Sequence, residues 1–492
     1  MAGMKRLAKE TAVYGLSSII GRFLNWMLVP MYTRVLAGTG EYGIVTNLYG
    51  WTALLLVFLT YGMETGFFRF MNRKEEEIDP ARVYASVLRS LATSSLLFCG
   101  VIALLFPWIC EGLGYADHPE YVAMMAGIVA VDAFCCIPFA YLRYQGKAWR
   151  FAGIKLLNIF LNIFLNILFL VVCPWLSDRM VGGLPGYDPD YGVGYVFLAN
   201  VITTAVTLLL LWPDMRPGWQ ARGDWTLLKR IYRYSFPILL LGIAGIFNQT
   251  ADKILFPFLF EDRAYANEQL GIYGACFKIA VVMVMFTQAF RYAYEPFIFA
   301  RNKGQDNKVA YAEAMKYFIL FALFIFLGVM CYLDILKYFV GEAYYPGLRV
   351  VPIVMLGEFF FGIYFNLSLW YKLTDQTEWG AYFSIAGCLA TVAIILCFGP
   401  AYGYMACAWA SFCCNLLMML LSYGIGQRKY PIAYDLKSAA FYTVLTALLY
   451  AAAMLPEIDS LVWRLAYRTG ILFLYIICIV LKEYKHGKRS IL

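Results

Sequence analysis

The sequence predicts an all-α polytopic membrane protein of about 14 transmembrane helices, arranged as two parallel-repeat six-helix lobes plus two C-terminal helices. Three observations predict it. Of 492 residues, 62% are hydrophobic and 15% charged, with a mean hydropathy of +0.65, more apolar than ordinary soluble domains. The apolar residues fall in runs long enough to cross a bilayer, which takes roughly 20 residues of helix. Lys and Arg gather in alternate connections between those runs.

In order, the spans read 11–37, 43–70, 82–107, 121–142, 151–173, 192–212, 231–260, 270–298, 311–333, 348–371, 379–399, 402–424, 438–455 and 461–481. The longest connections, 174–191 and 213–230, leave no room for a soluble domain. The first span is too long, and too interrupted by Arg22 and Pro30, to be a cleaved signal peptide. With the N-terminus in the cytoplasm, "MKRLAKE", "NRKEEEIDPAR", "RYQGKAWR", the 216–233 loop, "RNKGQDNK", "QRKY" and "KEYKHGKR" share the cytoplasmic side. The opposite loops hold only Arg179, Arg263, Lys337 and Arg349, so an even number of spans is expected, with both termini cytoplasmic. The net charge of +8 is a topology signal, and no nucleic-acid partner is expected. Thirteen cysteines, nearly all within spans and without a CxxC, read as small hydrophobes. His118 and His486 lie in a loop and the tail, so no metal site is expected.

An internal repeat organises the spans. "NWMLVP" (25–30) aligns with "DKILFP" (252–257), setting Pro30 on Pro257 and Asn25 on Asp252. "GEYG" (40–43) then falls opposite "GIYG" (271–274), and "GYVFLA" (194–199) matches "GYMACA" (403–408). These matches pair span 1 with 7, 2 with 8 and 6 with 12. Six spans separate the copies, so both run in the same direction across the membrane. The division expected is an N-lobe over 1–212, a cytoplasmic linker over 213–230 along the membrane surface, a C-lobe over 231–424, and spans 13 and 14 over 437–482. A central cavity between the lobes follows from the repeat.

Charged residues inside spans are the candidate site. Each costs at least about 2.5–3.5 kcal/mol at a helix centre, so it normally faces a cavity or a partner. Arg22 lies about eleven residues into span 1, roughly 16 Å of helix rise, too deep to reach the surface easily. Ser18, Asn25 and Trp26 share its face, and Pro30 predicts a kink beside that strip. Glu64, Asp132, Asp252, Lys253, Lys278, Arg291, Glu295 and Glu358 are the other inward candidates. Internal salt bridges compete as the explanation for Asp252 beside Lys253 and for Arg291 four residues before Glu295. Arg69, Arg89, Arg143 and Lys155 lie nearer span ends and are expected to snorkel. Arg464 and Arg468, near the outer end of span 14, break the charge pattern and receive no role. "NIFLNIFLNI" sets Asn158, Asn162 and Asn166 at i, i+4 and i+8, a stripe expected to hydrogen-bond a neighbouring helix.

Catalytic signatures are missing from the sequence. There is no GxxxxGK[ST] phosphate loop, HExxH or GxSxG, so the chain is not expected to be an enzyme or to use ATP directly.

The chain resembles the Wzx-type flippases of lipid-linked oligosaccharides, which share a superfamily with the multidrug and toxin extruders and the lipid II flippases. The resemblance rests on "GRFLNWMLVPMYTRVLAGTGEYG", "GMETGFFRF", "ADKILFPF…LGIYGACFKIA", "QAFRYAYEPFIFA" and "GIYFNLSLWYKLTDQTEWGA". "LNIFLNIFLNILF…GVGYVFLAN" resembles that family's spans 5 and 6. It implies export of an undecaprenyl-diphosphate-linked oligosaccharide across the bacterial inner membrane by alternating access, for O-antigen or other surface polysaccharide. Other polysaccharide-assembly proteins are implied as partners, and the last two helices as a groove for the lipid tail. Arg22 then suits the diphosphate, and Asn25, Trp26, Asn47 and Tyr49 the sugars. Glu64, Asp132, Lys278 and Arg291 complete the expected substrate-binding set. The implied drive is an ion gradient or membrane potential, with H+ or Na+ as coupling ion and no other cofactor. Asp252, Glu295 and Glu358 are the coupling candidates, with Asp132 beside them, although a carboxylate held in an ion pair would titrate poorly. Two rival readings share the fold: a cation-coupled multidrug exporter and a lipid II flippase.

Overall fold

The computed structural model describes residues 20–72, 79–180, 183–301, 308–374 and 376–489. Among them, thirteen helical segments are long and apolar enough to cross a membrane, and no strand occurs. The remaining expected span, 11–37, begins outside the described residues. Its visible part is helical over 20–26, breaks at Met27 and Leu28, and resumes as α1 (Val29–Val35) with Pro30 in its first turn. The expected kink beside Pro30 is therefore present, because proline cannot donate to the preceding turn.

The chain divides into two compact units, Met1–Gly274 with Ile395–Tyr404, and Ala275–Ile394 with Met405–Leu492. In the first, α2 (Thr39–Thr60) and α3 (Met63–Met71) form one span, interrupted at Tyr61 and Gly62. Both residues are left-handed, with φ of 34° and 69°. Tyr61 is the one non-glycine there among the described residues, and its hydroxyl lies 2.7 Å from Ser90 Oγ. α4 (Pro80–Leu104) starts from Asp79, whose side chain accepts the Ala81 N–H, with proline at its first position. α5 (Pro119–Tyr144) and α6 (Ala148–Ile167) follow, and α6 runs through a π-helical turn, Leu168–Val172.

α7 (Val193–Gln220) carries Pro213 and Pro217 inside its last turns, and α8 (Trp225–Leu255) begins four residues later on an Asp224 cap. The 213–230 stretch, expected as a surface linker, is thus helical except at 221–224. The Arg89 guanidinium donates to Trp219 O and Ala221 O and fastens that short turn. Fully buried Met63, Phe67, Tyr84, Leu88, Ile137 and Ile231 form the core of this unit, where the Tyr84 and Tyr141 rings stack at 4.0 Å.

α9 (Arg263–Arg301) crosses α2 near its start. There the two repeat motifs meet. A Cβ on Gly43 would strike the Asn267 carbonyl, and one on Gly271 would lie 2.8 Å from the Thr39 carbonyl carbon. Only glycine lets these backbones approach so closely. The second unit is built from the rest of α9 with α10 (Lys308–Cys331), α11 (Val351–Leu367), most of α12 (Glu378–Tyr402), α13 (Tyr404–Lys429), α14 (Leu436–Met454) and α15 (Leu461–Arg489). Trp370, Phe383, Cys414 and Met418 are buried together in one of its cores.

Candidate functional site

The asparagine stripe of α6 builds a polar ladder through the first unit. Asn158 Nδ2 donates to Thr207 Oγ1 at 2.9 Å, and Asn162 Nδ2 to Asn200 Oδ1 at 3.0 Å. Asn166, fully buried, donates to Asn162 O at 2.8 Å and accepts the Tyr32 hydroxyl at 2.8 Å. Asn200 Nδ2 donates in turn to Tyr49 Oη at 2.7 Å. The ladder therefore joins α1, α2, α6 and α7 with nearly every amide satisfied. That is the interhelical role the spacing predicts. Its open end is Tyr49, 39% exposed.

Beside the ladder, Asp132 of α5 is half-buried, with Lys155 as its nearby cation. The Lys155 ammonium lies 4.1 Å from the Phe139 ring centroid. Arg143, expected to snorkel, instead forms an ion pair with Glu64, and its guanidinium stands 4.9 Å over the Phe68 ring. Glu64 follows the Tyr61–Gly62 interruption directly, so that break sets its depth and direction. Arg22 and Asn25 are exposed on the 20–26 helix, and Trp26, half-buried, packs its ring 5.7 Å from Phe23.

Asp252 is 4% exposed and closely held. Lys253 Nζ lies 2.9 Å from each of its carboxylate oxygens, and the Tyr273 hydroxyl donates to Oδ2 at 2.6 Å. Asn47, named in the sequence as a sugar contact, is buried in the same network. Its Nδ2 donates to Lys253 O at 2.7 Å, and it accepts the Tyr115 hydroxyl at 2.9 Å. Tyr273, Tyr115, Tyr32 and Asn200 are the residues that sequence reasoning did not single out. The signal for Tyr273 was present, since it lies within the repeated GxYG motif.

In the second unit, Lys278 and Glu358 are half-buried, and the exposed Arg291 stands 4.6 Å over the Phe365 ring. The Glu295 side chain lies outside the described residues. An apolar groove of about 350 Å³ lies among α10, α11, α13 and α14, lined by Leu323, Phe359, Ile363, Leu420 and Ala439. Lys316 and Asp435 also line it, and Lys316 pairs with Glu483 of α15 at 2.6 Å. Glu483 also accepts the Tyr442 hydroxyl. Just outside the membrane span, Asp435 caps α14. Burial raises its pKa, but the Ser438 hydroxyl and N–H and the cations Lys482 and Lys316 outweigh that and hold it below the usual carboxylate value.

This fold, with its many long apolar helices, defines a multi-pass membrane protein. A family model described as polysaccharide biosynthesis protein matches residues 7–299, and the chain belongs to that family. A second, described as MatE, matches residues 263–398. Among solved structures, the chain is similar to the lipid II flippase MurJ in an inward closed conformation, with TM-score 0.69 and 12% identity, over 96% of this chain and 98% of that one. It is also similar to a multidrug resistance MATE family transporter of the MOP superfamily in an inward-facing conformation, with TM-score 0.65 and 13% identity, over 86% and 96%. The MATE multidrug transporter DinF-BH, solved with R6G, gives TM-score 0.58 at 16% identity over 86% and 96%. At these identities the likeness is one of fold. No curated protein sequence matches the chain.

Proposed function

We propose that the protein moves an undecaprenyl-diphosphate-linked oligosaccharide across the bacterial inner membrane by alternating access, with both termini cytoplasmic, for O-antigen or related surface polysaccharide. The observation that carries this reading is the apolar groove of the second unit, lined also by Lys316, which would have to exchange Glu483 for the diphosphate. A polyprenyl chain needs a long surface of Leu, Ile and Phe, and its diphosphate needs a nearby cation. The groove's charged lining residues Lys316 and Asp435, with Glu483, lie at the same ends of α14 and α15 as "QRKY" and "KEYKHGKR". By the distribution of Lys and Arg, that end faces the cytoplasm, where the substrate is made.

Arg22 is the proposed diphosphate contact along the path. Asn25, Trp26 and Tyr49 offer exposed or half-exposed groups for the sugars. Coupling to H+ or Na+ would require a carboxylate able to change its partner, and Glu358 and Asp132 are the half-buried candidates. Asp252 would first have to release Lys253. The experiment is Arg22→Ala in the native strain. The expected result is loss of surface glycan and accumulation of the lipid-linked precursor inside, at unchanged protein level. Normal glycan would refute the diphosphate role.

The MatE match over 263–398 favours a second reading, a cation-coupled multidrug exporter. Drug resistance on expression in a strain without glycan genes would support it.

A further inference from the structure

The two arginines that break the charge pattern, Arg464 and Arg468, lie in the first two turns of α15, at the end opposite its Lys- and Arg-rich tail. Cations there oppose the helix dipole as well as the topology rule, so each needs compensation. Arg468, 8% exposed, has it. Its Nη1 donates to Asp334 Oδ2 at 2.8 Å and to Cys331 O at 3.2 Å, and its Nε donates to Ala453 O at 3.3 Å. Those carbonyls end α10 and α14, so one buried guanidinium ties three helix ends together.

Arg464 is served differently. Its Nε lies 3.0 Å from the same Asp334 oxygen, at ion-pair distance but without hydrogen-bond alignment. Among the described residues, no further side chain engages its two terminal nitrogens. Two guanidinium groups against one carboxylate leave one positive charge. The charge sits amid side chains that face lipid, for Leu455, Val462 and Trp463 are 78%, 74% and 72% exposed. A guanidinium with free paired donors at a span end, near exposed apolar side chains and with Glu457 and Asp459 exposed in the preceding loop, offers the donor geometry that a lipid phosphate takes.

We infer that Arg464, with Arg468 and Asp334, forms a binding site for the phosphate of an anionic phospholipid in the leaflet at that end of α15. The site is separate from the groove and stands without the proposed transport activity. Arg464 presents its terminal N–H pair to the phosphate oxygens, Asp334 stays hydrogen-bonded to Arg468, and the exposed Trp463 and Val462 flank the acyl chains.

The test is native mass spectrometry of the purified protein in detergent, titrated with phosphatidylglycerol, phosphatidylcholine and inorganic phosphate. Phosphatidylglycerol should bind the wild type in preference to phosphatidylcholine. Arg464→Gln should weaken that binding about tenfold, the loss expected for one charge-assisted contact. Arg464→Lys should retain part of it. Asp334→Asn should tighten it, because both cations then lack their carboxylate, and a purely structural triad would not respond in that direction. Equal affinity in wild type and Arg464→Gln would overturn the inference. So would competition by inorganic phosphate at the lipid's own concentration, which would make the site one for a free anion.

Discussion

The Asp252–Lys253 pair is the sharpest test of how charge is managed in this molecule. The Asp252 carboxylate receives Lys253 Nζ on both oxygens at 2.9 Å, the Tyr273 hydroxyl at 2.6 Å and the Lys253 backbone N–H at 3.0 Å. The two side chains are 5% and 14% exposed. Asp252→Asn keeps the shape and an acceptor for Tyr273 but strands the ammonium. Breaking a buried pair from one side costs about 3–5 kcal/mol, chiefly the penalty of the unpaired charge. Lys253→Met should cost a similar amount by stranding the carboxylate. The double variant, Asp252→Asn with Lys253→Met, leaves no buried charge. It should fall short of the summed losses by about 0.5–3 kcal/mol, the range for residues in contact. Denaturant unfolding of the four detergent-purified proteins measures this cycle. Additive losses would refute the reasoning. They would mean that the carboxylate and ammonium act independently, leaving Asp252 open to bind a coupling ion.

Two further outcomes follow from the packing. Gly271→Ala forces a methyl against the Thr39 carbonyl, which is backbone and cannot turn aside, so about 1–3 kcal/mol of stability should be lost. Gly127→Ala, in the interior of α5 with nothing within 4 Å of its added Cβ, should gain up to about 1 kcal/mol in the same unfolding assay, and equal effects at the two sites would sink the argument. Asn166→Leu leaves the buried Tyr32 hydroxyl without its acceptor and should cost about 1–3 kcal/mol, most of it recovered when Tyr32→Phe is added.

Much of the architecture was legible in composition and spacing. The apolar runs located the spans, and Pro30 located a kink that the backbone breaks at Met27 and Leu28 confirm. The i, i+4, i+8 asparagines pointed one face of α6 at a neighbour, and the GxYG repeat picked out glycines that meet at a helix crossing. Less of the site was legible. Arg143 was assigned to snorkelling because it lies near a span end, yet it reaches Glu64, 79 positions away in sequence. The 213–230 stretch was expected to be a linker, yet Pro213 and Pro217 lie inside α7, each removing one N–H bond from its last turns.

By itself the sequence determined what must be in the membrane, which runs are long enough to cross it, and which ionisable groups would need an explanation there. Those are sums over neighbouring residues, and no later packing changes them. Which explanation each charge receives was decided by tertiary structure alone. It depends on how far each helix is rotated about its axis and at what depth two helices cross. Asp252 became a closed ion pair, Glu64 became the partner of Arg143, and Arg468 tied three helix ends together, while Arg464 kept donors to spare. In a medium that offers no water to a buried charge, only an atom a few ångströms away can settle its cost, and that atom comes from another helix.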